Sequence, residues 1–129
     1  MARILITGAS GFIGGYLVAQ ALANGHAVTA AVRPGSDRTR LTDPRLRFLD
    51  LPLGDVATMA EQLRTAGRFD WVVHNAGVTK ALSREAYWEG NAGNTRRLTA
   101  AHALWGITQS LGTHLQHVSL NEEPQDANV

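Results

Sequence analysis

Short apolar runs alternate along this chain with longer stretches in which apolar residues recur at helical spacing. The short runs are typical of strands buried on both faces, and the longer stretches are typical of helices that cover a sheet. The alternation predicts an α/β fold with a doubly wound parallel sheet and favours it over a sandwich or a helical bundle. The predicted strands cover residues 3–7, 27–32, 46–50, 71–74 and 115–119.

Helices are predicted between these strands, over about residues 12–24, 56–66 and 84–104. Asp55 and Ser83 are the predicted N-caps of the second and third helices, because their side chains can accept from first-turn N–H groups. Gly90 and Gly93 fall inside the third helix, where each costs about 1 kcal/mol relative to alanine. Because parallel crossovers are right-handed, we expect the strand order 3-2-1-4-5, with a ligand at the switch point between strands 1 and 4.

Three glycines follow the first strand directly and lead into the first helix. Gly8 allows a sharp turn, Gly11 lets the backbone approach a pyrophosphate, and Gly14 allows close packing of helix on strand. Unpaired N–H groups at the start of the helix then point at the anion. A glycine-rich turn without a ligand is the alternative. The residues predicted to hold the cofactor's phosphates are Gly8, Ser10, Gly11, Phe12, Ile13 and Gly14.

The segment Thr-Gly-Ala-Ser-Gly-Phe-Ile-Gly, residues 7–14, resembles the extended branch of the short-chain dehydrogenase/reductase superfamily. That branch contains NAD(P)-dependent epimerases, dehydratases and reductases. The resemblance runs from Met1 to about Ser119 and implies a Rossmann-type NAD(P)-binding domain over residues 1–120. Residues 121–129 are polar and are expected to form an irregular tail.

The resemblance also implies further cofactor contacts. Asp50 and Leu51 match an acidic-apolar pair that contacts adenine, and Asn75-Ala76-Gly77 match a motif that lies against the adenosine ribose. Asn91 matches a residue that tethers the long helix to strand 4, and Thr95 matches the threonine that follows it, although Asn94 replaces the usual glycine between them. His74 is interpreted as a core residue that stabilises the sheet.

The choice of nucleotide depends on the end of the second strand. An acidic residue there accepts from the ribose hydroxyls of NAD, whereas this chain has Arg33. A guanidinium can hold a 2′-phosphate in bidentate geometry, with Ser36 and Arg38 as helpers on the loop. We therefore expect NADP in preference to NAD; the alternative is that Arg33 is a solvated loop arginine.

The catalytic residues of the superfamily are missing from this sequence. The resemblance implies a Tyr-x-x-x-Lys pair with a serine or threonine, acting as general acid and base. Lys80 is the one lysine, Ala76 stands four residues before it, and no such pair occurs. Ser119 is a candidate for the catalytic hydroxyl, although a structural role is favoured, because Leu120 stands near the expected position.

The resemblance stops after Leu120, so we expect a C-terminally truncated chain. Its unpaired sheet edge favours a homo-oligomer. Three functions stay open. The chain is part of an epimerase, dehydratase or reductase acting on a sugar or carbonyl substrate, and is not catalytic alone; or it is a noncatalytic dinucleotide-binding or sensing module; or it retains only the fold and acts through protein contacts.

Composition and charge exclude several classes of partner and of binding site. The chain has 129 residues, no cysteine and a net charge of +1. Near-neutral charge argues against a nucleic-acid partner, and the lack of cysteine excludes disulfides and thiolate zinc ligands. His102, His114 and His117 do not form a ligand set, so no metal is expected. Without a signal pattern or a membrane-length apolar run, we expect a cytoplasmic protein with no membrane partner.

Overall fold

A parallel sheet in the order β3-β2-β1-β4-β5 forms the centre of the molecule. The computed structural model describes residues 1–77, 81–106 and 114–117. The strands are β1 (Arg3–Thr7), β2 (Ala27–Val32), β3 (Arg47–Asp50), β4 (Trp71–His74) and β5 (His114–His117). The predicted order is confirmed. β3 and β5 each begin one residue away from the prediction, and residues 118–129, with Ser119 and the predicted tail, lie outside the described residues.

The carboxyl ends of the central strands lie side by side. Thr7 at the end of β1 is paired in register with Ala31 of β2 and with His74 at the end of β4. β2 lies on one side of β1 and β4 lies on the other, so the strand order reverses at β1. The switch point predicted between strands 1 and 4 is therefore at Thr7 and His74.

Helices cover both faces of the sheet. The chain forms α1 (Phe12–Ala23), α2 (Val56–Ala66), α3 (Arg84–Trp88) and α4 (Asn94–Gly106). Neighbouring residues of β1 point to opposite faces: Leu5 packs with Met59 of α2 and Leu98 of α4, whereas Ile6 packs with Val18 of α1. The sheet is thus doubly wound, as predicted.

The third predicted helix is interrupted by a π-helical turn, Glu89–Gly93, between α3 and α4. The sequence predicted one regular helix over about 84–104, and that prediction was wrong in this segment. Arg97 contacts the turn: its Nη1 lies 2.9 Å from Oε2 of Glu89, and its Nη2 lies 3.2 Å from the Glu89 carbonyl oxygen. A Cβ on Gly93 would lie 2.6 Å from that Oε2. Because Oε2 is the far end of a flexible, largely exposed side chain, it could move aside, and the packing of the turn does not strictly require glycine at this position.

Candidate functional site

The β1–α1 turn lies against the end of β4. Gly8 has a φ of +65°, a left-handed conformation that favours glycine. A Cβ at Gly8 would lie 2.7 Å from the backbone nitrogen of Ala76 and 2.8 Å from the carbonyl carbon of Asn75. The backbones of the two segments therefore touch at this point. The predicted sharp turn at Gly8 is present, and the fold brings the predicted residues Asn75 and Ala76 against it.

Close packing also explains Gly14. A Cβ there would lie 1.9 Å from the carbonyl oxygen of Gly8, a distance at which the helix would have to move. Gly14 is buried in the first turn of α1. The predicted role of this glycine, close approach of the helix to the strand, agrees with the structure.

Gly11 differs from the other two glycines because it is exposed. Its φ of −78° and ψ of 176° are open to any residue, and an added Cβ would find no protein atom nearer than the Gly8 oxygen at 3.5 Å. The described protein atoms therefore do not require glycine at this position. An exposed backbone without a Cβ is what the close approach of a pyrophosphate needs, as the sequence predicted.

Backbone donors converge on this exposed position. Gly11 is the N-cap of α1, its own N–H donates to the Gly8 carbonyl oxygen at 3.2 Å, and the first helical bond runs from Gly15 to Gly11. The N–H groups of Phe12, Ile13 and Gly14 therefore come before the first intrahelical donor, Gly15, and have no acceptor within the helix. Three directed donors and the positive end of the helix dipole favour an anion at this place.

Two aromatic side chains stand beside the turn. Phe12 and Tyr16 are 67% and 66% exposed, and their rings meet edge to face with centroids 5.2 Å apart. The helical pattern alone did not separate them from core residues such as Val18. Both rings are therefore largely exposed in the first turns of α1.

A buried hydroxyl joins the ends of β1 and β4. The Oγ1 of Thr7 lies 2.7 Å from Nδ1 of His74, and it accepts from the N–H groups of Asn75 at 3.0 Å and Ala76 at 3.1 Å. Thr7 and His74 are each only 1% exposed. The burial of His74 agrees with its interpretation as a residue that stabilises the sheet. Sequence reasoning passed over Thr7; a β-branched hydroxyl residue closing a buried strand just before Gly8 was the available signal.

At the neighbouring strand ends, Arg33 is exposed directly after β2, and the N–H of Ser36 donates to its carbonyl oxygen at 3.0 Å. Asp50 ends β3, paired in register with Val32 at the end of β2. Buried Leu51 follows, and its N–H donates to the Val32 carbonyl oxygen at 2.9 Å. The predicted phosphate-binding and adenine-binding residues are thus at the same edge of the sheet.

Two of these predicted residues contact each other. The Nη2 of Arg38 lies 2.6 Å from Oδ1 of Asp50, and the Arg38 guanidinium carbon lies 4.7 Å from the centre of the Phe48 ring. Phe48 was not among the predicted site residues. Since Arg38 reaches Asp50 from twelve positions away in the chain, no local pattern indicated the pair.

The remaining predicted site residues are placed as follows. Asn75 directs its Nδ2 at the Gly8 carbonyl oxygen, 3.4 Å away, and Gly77 is exposed. Asn91 lies in the π-helical turn and donates to the Tyr87 carbonyl oxygen at 3.0 Å. Its tether to β4 stays a prediction, as do all contacts with a cofactor.

The family of the chain follows from its similarity to known proteins. Residues 4–119 match the NAD dependent epimerase/dehydratase family. The chain belongs to this family. The predicted resemblance is confirmed, and among its relatives is UDP-glucose 4-epimerase 3 of Oryza sativa subsp. japonica. That protein is 33% identical over 121 residues, which cover 81% of this chain and 32% of the relative. This epimerase-family chain therefore spans about a third of that relative's length.

Two solved structures with more than 25% sequence identity superpose on this epimerase-family chain. An oxidoreductase from Burkholderia thailandensis has a TM-score of 0.69 and 28% identity, covering 88% of this chain and 50% of that one. The Bordetella bronchiseptica enzyme WbmH, solved in complex with NAD+, has a TM-score of 0.64 and 27% identity, covering 81% of this chain and 36% of WbmH.

No helix in the described ranges is long and apolar enough to cross a membrane. Within the same part of the chain, no group of three or more histidine, aspartate or glutamate side chains is placed to hold a metal ion.

Proposed function

We propose that this chain is the dinucleotide-binding part of an epimerase, dehydratase or reductase that acts on a sugar or carbonyl substrate. The β1–α1 turn carries the proposal. Gly8 and Gly14 leave no room for a Cβ, whereas Gly11 is exposed and directly precedes the N–H groups of Phe12 and Ile13, which have no acceptor within the helix. Family membership supports a nicotinamide dinucleotide as the ligand of these donors.

The residues present fit the phosphates of such a cofactor. Main-chain N–H groups would hold the two bridging phosphates, and the residues after β2 and β3 would hold the adenosine half. When bound, the nicotinamide supplies hydride acceptance and return. The chain's own contribution is to bind and orient the cofactor. Because Tyr-x-x-x-Lys is absent from the sequence, we propose that the chain binds cofactor without turnover of its own.

Gly11→Val tests the cradle directly. The valine side chain would cover the donors while the backbone angles of residue 11 stay accessible to it, so the fold should survive. Titration calorimetry of the full chain with NADPH and NADH should show that the affinity for both is weakened by at least about tenfold. A loss of this size corresponds to one or more charge-assisted hydrogen bonds.

Gly15→Ala is the matched control, since a Cβ there meets nothing within 4 Å and the residue lies one position beyond the free donors. It should bind both nucleotides as the wild type does. Unchanged binding by Gly11→Val, or wild-type dissociation constants above about 1 mM for both nucleotides, would contradict the proposal.

We further propose that the chain prefers NADP, with Arg33 as the residue that selects the 2′-phosphate. Its side chain makes no hydrogen bond or ion pair with the described residues, so its charge is available to a ligand. An acidic residue in its place would repel that phosphate.

Arg33→Ala should weaken NADPH by about tenfold or more and leave NADH within about twofold, because only NADPH carries the extra phosphate. Arg40→Ala, another exposed arginine of the same loop, serves as the control. Equal loss of both nucleotides in Arg33→Ala would show that Arg33 does not select between them.

A further inference from the structure

Arg38, Phe48 and Asp50 form one cluster at the edge of the sheet. Phe48 and Asp50 are two residues apart on β3, so their side chains lie on the same face of that strand. The Arg38 guanidinium lies over the Phe48 ring at 4.7 Å and donates to Oδ1 of Asp50 at 2.6 Å. Two different contacts therefore hold one planar group in place.

Arg38 and Arg33 differ in whether a neighbouring carboxylate compensates their charge. The carboxylate of Asp50 compensates the Arg38 guanidinium at contact distance, whereas Arg33 has no carboxylate partner among the described residues. A phosphate dianion is attracted most strongly by an uncompensated cation. Arg38 is therefore poorly suited to help Arg33 hold the 2′-phosphate, the role that the sequence predicted for it.

Its surroundings suit a different ligand group. Of the Arg38 side chain 39% is exposed, and its partner Asp50 is the last residue of β3, at the carboxyl edge where the cofactor is proposed to bind. Guanidinium planes stack on aromatic rings and on nucleic-acid bases. In the described contacts Asp50 uses only Oδ1, so Oδ2 is left to accept from an exocyclic amine.

We infer that Arg38, held on Phe48 by Asp50, is a stacking surface for the adenine ring of either dinucleotide and does not discriminate between NAD and NADP. The inference rests on the proposed function. It gives the two arginines different roles: Arg33 binds the 2′-phosphate, and Arg38 together with Asp50 binds the adenine base. Both cofactors carry the same adenine, so removal of the guanidinium plane affects both equally.

Arg38→Lys is the decisive variant, because lysine keeps the positive charge beside Asp50 but has no plane. Titration of the full chain should show NADH and NADPH weakened by the same factor, about fivefold or more, since a stacked base contributes that much to affinity. Phe48→Leu, which removes the supporting ring, should also weaken both to a similar degree. Arg40→Lys should change neither.

The outcomes separate the inference from the proposed function. If Arg38→Lys weakens NADPH alone, Arg38 reads the phosphate and the inference is overturned. If it weakens neither, charge suffices and the stacking role is overturned. In both cases wild-type binding, and the proposed function with it, would stand. Failure of the wild-type chain to bind either nucleotide would overturn both proposals.

Discussion

The Oγ1 of Thr7 and Nδ1 of His74 share a buried hydrogen bond of 2.7 Å. The same hydroxyl oxygen accepts from the N–H groups of Asn75 and Ala76. One side chain thus joins β1, β4 and the segment that packs on Gly8.

Thr7→Val should destabilise the fold by about 2 kcal/mol, because it keeps the shape but leaves two N–H groups and a ring nitrogen without the hydroxyl. Urea unfolding followed by tryptophan fluorescence measures the change. Thr7→Ser retains the hydroxyl and should lose less than half as much. Equal losses in the two variants would assign the effect to packing and not to hydrogen bonds.

Gly14→Ala and Gly15→Ala should have opposite effects on stability. The first places a Cβ 1.9 Å from the Gly8 carbonyl oxygen, and overpacking against backbone costs about 3 kcal/mol or more. The second adds a methyl group in open space within a helix and should stabilise by about 0.5–1 kcal/mol. Thermal unfolding by circular dichroism compares them. A stable Gly14→Ala protein would show that α1 can move away from β1 at low cost.

The two predicted N-caps are both present, yet their removal should have different consequences. Asp55 accepts from the Thr58 N–H at 3.2 Å, and α2 contributes buried Met59 and Leu63 to the core. Asp55→Ala should therefore cost about 1 kcal/mol in guanidinium unfolding.

Ser83 accepts from the Ala86 N–H at 3.1 Å, but α3 buries none of its own residues. Ser83→Ala should change global stability by about 0.5 kcal/mol or less, because this helix can fray without exposing the core. A larger loss for Ser83→Ala than for Asp55→Ala would mean that α3 is coupled to the core more tightly than its burial indicates.

Acid pH should reduce the stability of the loop that follows β2. Hydrogen bonds from the side chain and backbone of Arg45 lower the pKa of Asp43 from 3.8 to about 2. Because the folded pKa is depressed, the stabilisation is complete above pH 3.8 and is lost as the pH falls through about 2. NMR titration of the Asp43 carboxyl carbon measures the value directly. Arg45→Ala should raise this pKa toward its ordinary value, and an unchanged titration would contradict the assigned cause.

Much of the fold could be predicted from the sequence, because the patterns that specify strands and helix caps are local. β2 and β4 occur at the predicted residues, since their apolar runs end at polar or turn-forming neighbours. Asp55 and Ser83 act as caps because a cap bonds residues within one turn. The π-helical turn was missed, because it involves the Arg97 side chain, which also bonds the Leu53 carbonyl oxygen, far away in the sequence.

The sequence by itself determined the glycine turn, the strand order and the family, because spacing along the chain sets backbone angles and crossovers are right-handed. Only the tertiary structure decided which side chains meet. It placed Ala76 against Gly8, gave the Thr7 hydroxyl its three partners, and directed Arg38 to Asp50 while Arg33 was left with no carboxylate among the described residues. Contacts between residues distant in sequence depend on how strands and loops are brought together, and no local pattern encodes that arrangement.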